Sequence, residues 1–141
     1  MTEHDLATWR AFLRTHAQLM RRLETDLHSC HDLPLPWYDV LVQLAEAPER
    51  RLRMTELAGQ VLLSRSGLTR LVDRLEQEGL VVRAACPGDA RAIHAVLTDA
   101  GVDRLRQASP THLRNVDQHF TSRLTPAELD QLRALMSKLE A

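Results

Sequence analysis

The sequence predicts a mainly α chain carrying one small β-hairpin, on three observations. Leucine-rich stripes at helical spacing occupy both ends of the 141 residues. Two shorter amphipathic segments stand side by side in the middle, joined through Leu62-Leu63-Ser64. A valine-rich run, a Cys86-Pro87-Gly88-Asp89-Ala90 turn cluster and a second alternating run follow at once, the pattern of a hairpin.

From about Asp5 to Ser29, Leu6, Trp9, Leu13, His16, Met20, Leu23 and Leu27 recur at alternating steps of three and four. That spacing places them on one stripe of a long helix, which Phe12 and Leu19 widen. Pro34 and Pro36 end the connection that follows. Proline is accommodated in a first helical turn, so a second helix is expected from Pro36 to about Ala47, burying Trp37, Val40, Leu41 and Leu44, with Pro48 as its stop. Arg51-Leu52-Arg53 is long enough only for a minor strand. Thr55 to Val61 forms a short helix, and Ser64 is a good N-cap for a longer one reaching about Glu78. Leu68, Leu71, Val72 and Leu75 make the inner face of that longer helix, and Gly79 closes it. Leu80 to Ala85 and Arg91 to Leu97 are the hairpin strands. Thr98 caps a further helix, which Ser109-Pro110 restarts or kinks on the way to about Ser122. Thr125-Pro126-Ala127-Glu128 then combines capping-box spacing with proline at the first helical position. The last helix is expected to bury Leu129, Leu132, Leu135, Met136 and Leu139.

Composition narrows the class. The balance of 44% hydrophobic and 26% charged residues is that of a folded globular chain, and no apolar run approaches the roughly 20 residues of a membrane span. The start, Met1-Thr2-Glu3-His4-Asp5, is acidic and unlike a secretory signal. Cys30 and Cys86 are too few for a disulfide framework, and a reducing cytoplasm is the expected location. Net charge is −1, but it is unevenly spread: from Arg50 to Arg91 there are eight arginines and five acids, a local +3 inside acidic flanks. A basic middle is consistent with a nucleic-acid-facing surface. Arginine dominates the basic residues, with Lys138 the only lysine. This suits phosphate and bidentate contacts and equally fits a GC-rich genome.

The order of elements, a helix pair followed by a hairpin, is that of a winged helix-turn-helix, in which the first helix braces the second in the major groove. The outer face of the helix from Ser64 to Glu78 presents Arg65, Ser66, Thr69, Arg70, Asp73 and Arg74. Arginine pairs with guanine O6 and N7, and short hydroxyls serve bases or phosphates. Arg91, just behind the tight turn, suits the adjacent minor groove, with Asp89 expected to hold its side chain through a charge-assisted hydrogen bond. A solvated helix face and an ordinary hairpin with a local ion pair are the plainer readings of the same residues. The leucine stripes at both ends exceed what one small winged domain covers, so a homodimer is expected.

Leu57-Ala58, the run Ser64-Arg65-Ser66-Gly67-Leu68-Thr69-Arg70-Leu71-Val72-Asp73-Arg74-Leu75-Glu76-Gln77-Glu78-Gly79-Leu80-Val81, and Asp89-Ala90-Arg91 leading to Val96-Leu97-Thr98-Asp99-Ala100-Gly101 resemble the recognition helix and wing of MarR-type regulators. The resemblance covers nearly the whole chain and is specific in its middle half. It implies a winged helix-turn-helix with long N- and C-terminal dimerisation helices: residues 1–35 for the first, 36–97 for the DNA-binding lobe and 98–141 for the last, within one structural domain. It also implies an obligate homodimer on a pseudo-palindromic operator in double-stranded DNA, with half-sites about one helical turn apart, roughly 34–36 Å. By position, Ser64, Ser66, Thr69 and Arg70 face bases or nearby phosphates, Arg74 faces phosphate, and Arg91 sits at the wing tip. Ala90 stands where many members carry a second wing arginine, a gap that Arg83 is one candidate to fill, with solvent or a phosphate as its plainer partner. Repression is the family's usual mode.

Control is less legible. The resemblance implies a small aromatic or phenolic effector, for which Arg14, His16, Trp37 and Tyr38 are candidate residues; Trp37 as plain core and Arg14 as an acid's partner are the alternatives. Cys30 and Cys86 are redox candidates only if their thiols are activated. Cys30, His31 and His112 are weak metal candidates, because the His28-Cys30-His31 spacing matches no closed zinc site. No cofactor is expected. Enzymatic activity is not expected either: no Gly-x-Ser-x-Gly elbow, phosphate loop or His-Glu-x-x-His helix is present. A winged-helix adaptor that has lost DNA contact remains the rival class.

Overall fold

The computed structural model describes residues 1–61 and 63–140, and for Ala90 the backbone alone. Its elements are α1 (Glu3–His31), α2 (Leu35–Glu46), a 3-10 turn (Pro48–Arg50), β1 (Arg51–Arg53), α3 (Met54–Gln60), α4 (Arg65–Gln77), β2 (Val81–Cys86), β3 (Asp89–Leu97), α5 (Asp99–His119), a second 3-10 turn (Thr121–Arg123) and α6 (Pro126–Leu139). The expected fold class, mainly α with a hairpin wing, is the one observed. Two compact units emerge: Met1–Cys30 with Pro110–Ala141, and His31–Ser109.

Within His31–Ser109 the core is aliphatic. Leu33, Val40, Leu41, Leu44, Leu57, Val72, Leu75 and Val81 are wholly buried, with Leu68 nearly so. The helix-turn-helix inner faces therefore match the periodicity. On α2 one position differs: Trp37 is only half-buried, whereas Tyr38 is buried and shares a hydrogen bond with Ser109 Oγ at 3.1 Å. The apolar spacing does not anticipate Tyr38, because a phenol goes inside where its hydroxyl finds a partner. At the C-terminal end of α1, Arg104 Nη2 donates to His31 O at 2.6 Å and to Asp32 O at 3.2 Å. It thereby satisfies carbonyls that a helix terminus leaves unpaired.

The sheet is antiparallel in the order β1-β3-β2, with Leu52 opposite Ala95 and Val81 opposite Leu97. The hairpin turn is tighter than the five-residue cluster suggested. Cys86 pairs with Asp89, so only Pro87 and Gly88 lie outside the strands, with Gly88 at φ +80° and a register irregularity at Ala85/Cys86. Gly88 adopts a backbone conformation that an L side chain resists.

The joint between α4, the sheet and α5 is held by short-range bonds around two glycines. Gly79, at φ +75°, ends α4 in a Schellman motif: Leu80 N donates to Leu75 O and Gly79 N to Glu76 O. Thr98 Oγ1 donates to Gly79 O at 2.7 Å and accepts from Gly101 N at 3.0 Å, while Thr98 N donates to Leu80 O at 3.1 Å. A Cβ on Gly101 would press into Leu80 O and the Leu97 side chain. The Leu-Thr-x-x-Gly sequence thus lets α5 start against the backbone of Leu80, just ahead of β2.

In the other unit three expectations change. Of the restart or kink expected at Ser109-Pro110, the restart does not occur: α5 continues through Pro110 to His119. In α6 the capping box forms as expected, with Thr125 Oγ1 accepting from Glu128 N at 3.2 Å and Glu128 Oε1 accepting from Thr125 N at 3.0 Å. Yet α6 buries none of its residues: Leu135 is 57% and Leu139 76% exposed. On α1, Leu23 and Leu27 are buried while Trp9, Phe12, Leu13 and Met20 are exposed. The periodicity correctly marks apolar faces, but one copy of the chain does not supply the surface that covers them. No helix among the described residues is long and apolar enough to cross a membrane.

Candidate nucleic-acid interface

Helix α4 is built to show one face. Ser64 Oγ accepts from Gly67 N at 3.1 Å and so caps the first turn, as its position predicts. Leu68, Leu71, Val72 and Leu75 turn inward. Arg65, Ser66, Thr69, Arg70 and Arg74 are consequently exposed together with Ser64 on the opposite side. Ser64 and Ser66 share a hydroxyl–hydroxyl contact of 3.3 Å, and Thr69 Oγ1 donates to Arg65 O at 2.9 Å, which leaves its oxygen able to accept. Guanidinium groups and hydroxyls at the start of a helix are what edge-reading in a major groove requires.

An open groove lies between α4 and the hairpin. It is lined by Arg53, Met54, Thr55, Thr69, Arg83, Asp89, Arg91, Ala92 and Ile93. Thr69 and Arg91, which the sequence nominated separately, therefore share one concavity. Arg53 and Thr55 enter it from the β1–α3 junction and were not anticipated: β1 pairs with β3, and only that pairing carries their segment to the wing. The one sequence signal for them is the arginine-rich run ahead of α3.

Two electrostatic expectations are corrected. Asp89 Oδ1 accepts from the backbone N–H of Arg91 at 3.0 Å, so it orders the turn rather than gripping the arginine side chain. Arg83 is no substitute wing cation. Its Nη1 lies 2.7 Å from Asp73 Oδ1 and 3.1 Å from Glu76 Oε1, and its Nη2 donates to Thr69 O at 3.1 Å. Arg83 N also donates to Glu76 Oε2 at 2.9 Å. Strand β2 is thereby lashed to the flank of α4, and Asp73, placed by its spacing on the outer face, belongs to this tie.

The remaining candidates fall elsewhere. Arg14 and His16 are exposed on α1, His16 stacking near Phe12 with ring centroids 6.4 Å apart. Trp37 and Tyr38 belong to the other compact unit. Cys30 is exposed, Cys86 buried, and His31 and His112 half-buried. Among the described residues no group of three metal-ligating side chains comes together.

Comparison with known proteins places this geometry in a family. The sequence profile of the MarR family matches residues 31–92. The crystal structure of Sco3205, a MarR family transcriptional regulator from Streptomyces coelicolor in complex with DNA, superposes with a TM-score of 0.93 at 38% identity, covering 99% of this chain and 88% of that one. The HTH-type transcriptional regulator MhqR of Bacillus subtilis is 26% identical over 139 residues, 99% of this chain and 93% of its own length. The HTH-type transcriptional regulator YkoM of the same organism is 35% identical over 86 residues, 61% of this chain, and the match spans 55% of its length.

Proposed function

This chain belongs to the MarR family of DNA-binding transcriptional regulators, and from that membership we propose that it acts as a homodimer, gripping a pseudo-palindromic operator with one α4 and one wing in each half-site. The observation that carries the reading is the shared groove: Thr69 on α4 and Arg91 on the wing face one concavity beside an exposed row of Arg65, Ser66, Arg70 and Arg74. Ser64, Ser66, Thr69 and Arg70 address base edges or the nearest phosphates, Arg74 addresses a phosphate, and Arg91 enters the minor groove while Asp89 shapes its turn. The exposed stripes of α1 and α6 are the dimer surface, which explains why one chain leaves Trp9, Leu13, Leu135 and Leu139 uncovered. Two-fold protein symmetry then meets two-fold DNA symmetry.

The biological role that follows is repression of a nearby gene from the cytoplasm, by occupancy of the operator, with no catalytic step. Release by a small aromatic or phenolic acid is the matching mode of control, with Arg14, His16, Trp37 and Tyr38 as the residues to vary. The test is fluorescence anisotropy of the purified chain against duplex DNA from upstream of its own gene and a scrambled duplex, at two salt concentrations. Tight binding with a clear preference over the scrambled control is expected. Equal, weak binding to both that disappears at higher salt would reduce the interaction to bulk electrostatics and favour the adaptor reading. Adding phenolic acids to the same titration tests release.

A further inference from the structure

We propose that Arg53, at the junction of β1 and α3, is a phosphate-binding residue that supplies the second cation of the wing-side DNA surface; this rests on the DNA-binding reading above. Three arginines line the groove between α4 and the wing: Arg53, Arg83 and Arg91. They are not equivalent.

Arg83 is committed internally. Its side chain is 25% exposed and faces two carboxylates, Asp73 and Glu76, plus the Thr69 carbonyl. A guanidinium flanked by two acids offers a phosphate no net attraction. Arg91 is exposed at the wing, with Asp89 bonded to its backbone N–H. Because position 90 is alanine, and Arg83 is committed to α4, the wing offers a ligand Arg91 alone, with Asp89 beside it.

Arg53 restores the balance. Half of its side chain is exposed (52%), and it lines the groove from the β1–α3 junction. Its nearest acid, Glu56, stands 4.0 Å from Nε, and the same Glu56 oxygen accepts from Arg53 N at 3.3 Å, which divides that carboxylate between backbone and side chain. Thr55 brings a hydroxyl to the same groove, a donor of the kind that accompanies arginine at phosphate sites. The β1–β3 ladder, with Arg53 opposite His94, fixes Arg53 beside the strand that carries Arg91. The ligand is a DNA phosphate and not a base, because Arg53 is carried by the β1–α3 junction and not by α4, the helix whose exposed face suits base edges.

Anisotropy titrations over a salt series test this, using the full chain with a mixed-sequence duplex and the duplex from upstream of its gene. Arg53→Gln is expected to weaken binding to both duplexes by the same factor, about tenfold, and to make log K against log salt shallower by about 0.9 for each chain bound. Arg53→Lys is expected to restore most of both, since a phosphate accepts either cation. Thermal melts of each variant report folding. Unchanged affinity and slope in Arg53→Gln, alongside losses in Arg91→Gln, would overturn the inference and leave the DNA-binding reading intact. Equal losses in Arg53→Lys and Arg53→Gln would also overturn it, assigning Arg53 to holding the β1–α3 junction. Failure of the unaltered chain to bind either duplex would remove both.

Discussion

Arg83 Nη1 lies 2.7 Å from Asp73 Oδ1, so the first strand of the wing is tied to the middle of α4. The pair is partly exposed, which limits its worth through solvent screening. A double-mutant cycle on Arg83→Ala and Asp73→Ala is expected to give a coupling of about 0.5–1 kcal/mol by urea denaturation. Arg83→Ala should also weaken specific DNA binding, because the wing loses its set relative to α4. Additive effects of the two substitutions would show that the tie contributes nothing.

Among the five glycines, Gly101 sits in the tightest approach. A Cβ there presses into the Leu80 carbonyl, which belongs to the backbone and has little freedom to yield. Gly101→Ala is expected to destabilise the chain by about 2–3 kcal/mol, measured from the shift in urea midpoint at constant slope. An unshifted midpoint would mean that α5 can back away from Leu80 without loss.

Arg70, exposed on α4, is expected to read a base edge. Arg70→Ala should cost about 1–3 kcal/mol in operator affinity and relax preference at one position of each half-site. A uniform loss across all duplexes, with a shallower salt slope, would instead make it a phosphate contact. Arg91→Ala should hurt most where the flanks are A·T-rich, since narrow minor grooves attract arginine. Indifference to the flanks would remove Arg91 from the minor groove.

Burial holds the His112 imidazole below its ordinary value of 6.5, because the charged form loses hydration there. The unfolded chain therefore takes up this proton first as pH falls. The contribution is present in full above the ordinary value and is lost as pH drops from there through the lowered folded value. As pH falls below the ordinary value of 6.5, stability of the unaltered chain should drop more steeply than that of His112→Gln. Parallel pH profiles for the two proteins would show that His112 does not sense its burial.

How the chain divides into legible and illegible parts follows from the range of each interaction. Local rules settled the caps and faces. Ser64 and Thr125 bond backbone groups three residues away, and the inward leucines of α4 lie within two turns of one another, so spacing alone locates them. The same holds for the exposed arginine and hydroxyl face of α4, which is simply what remains when the apolar residues turn in. Local rules also marked the stripes of α1 and α6 as apolar without indicating what covers them, because a periodic pattern records hydrophobicity and not the partner surface. Contacts between residues far apart in sequence were decided by tertiary structure alone. Arg83 became a tie and not a DNA cation because the hairpin carries it back over Asp73 and Glu76. Tyr38 went inside because Ser109, 71 residues later, shares a hydrogen bond with its hydroxyl. Arg53 joined the groove because a three-residue strand pairs with β3 at His94. An ion pair or hydrogen bond acts over a few ångströms, and only the folded backbone determines which residues come that close.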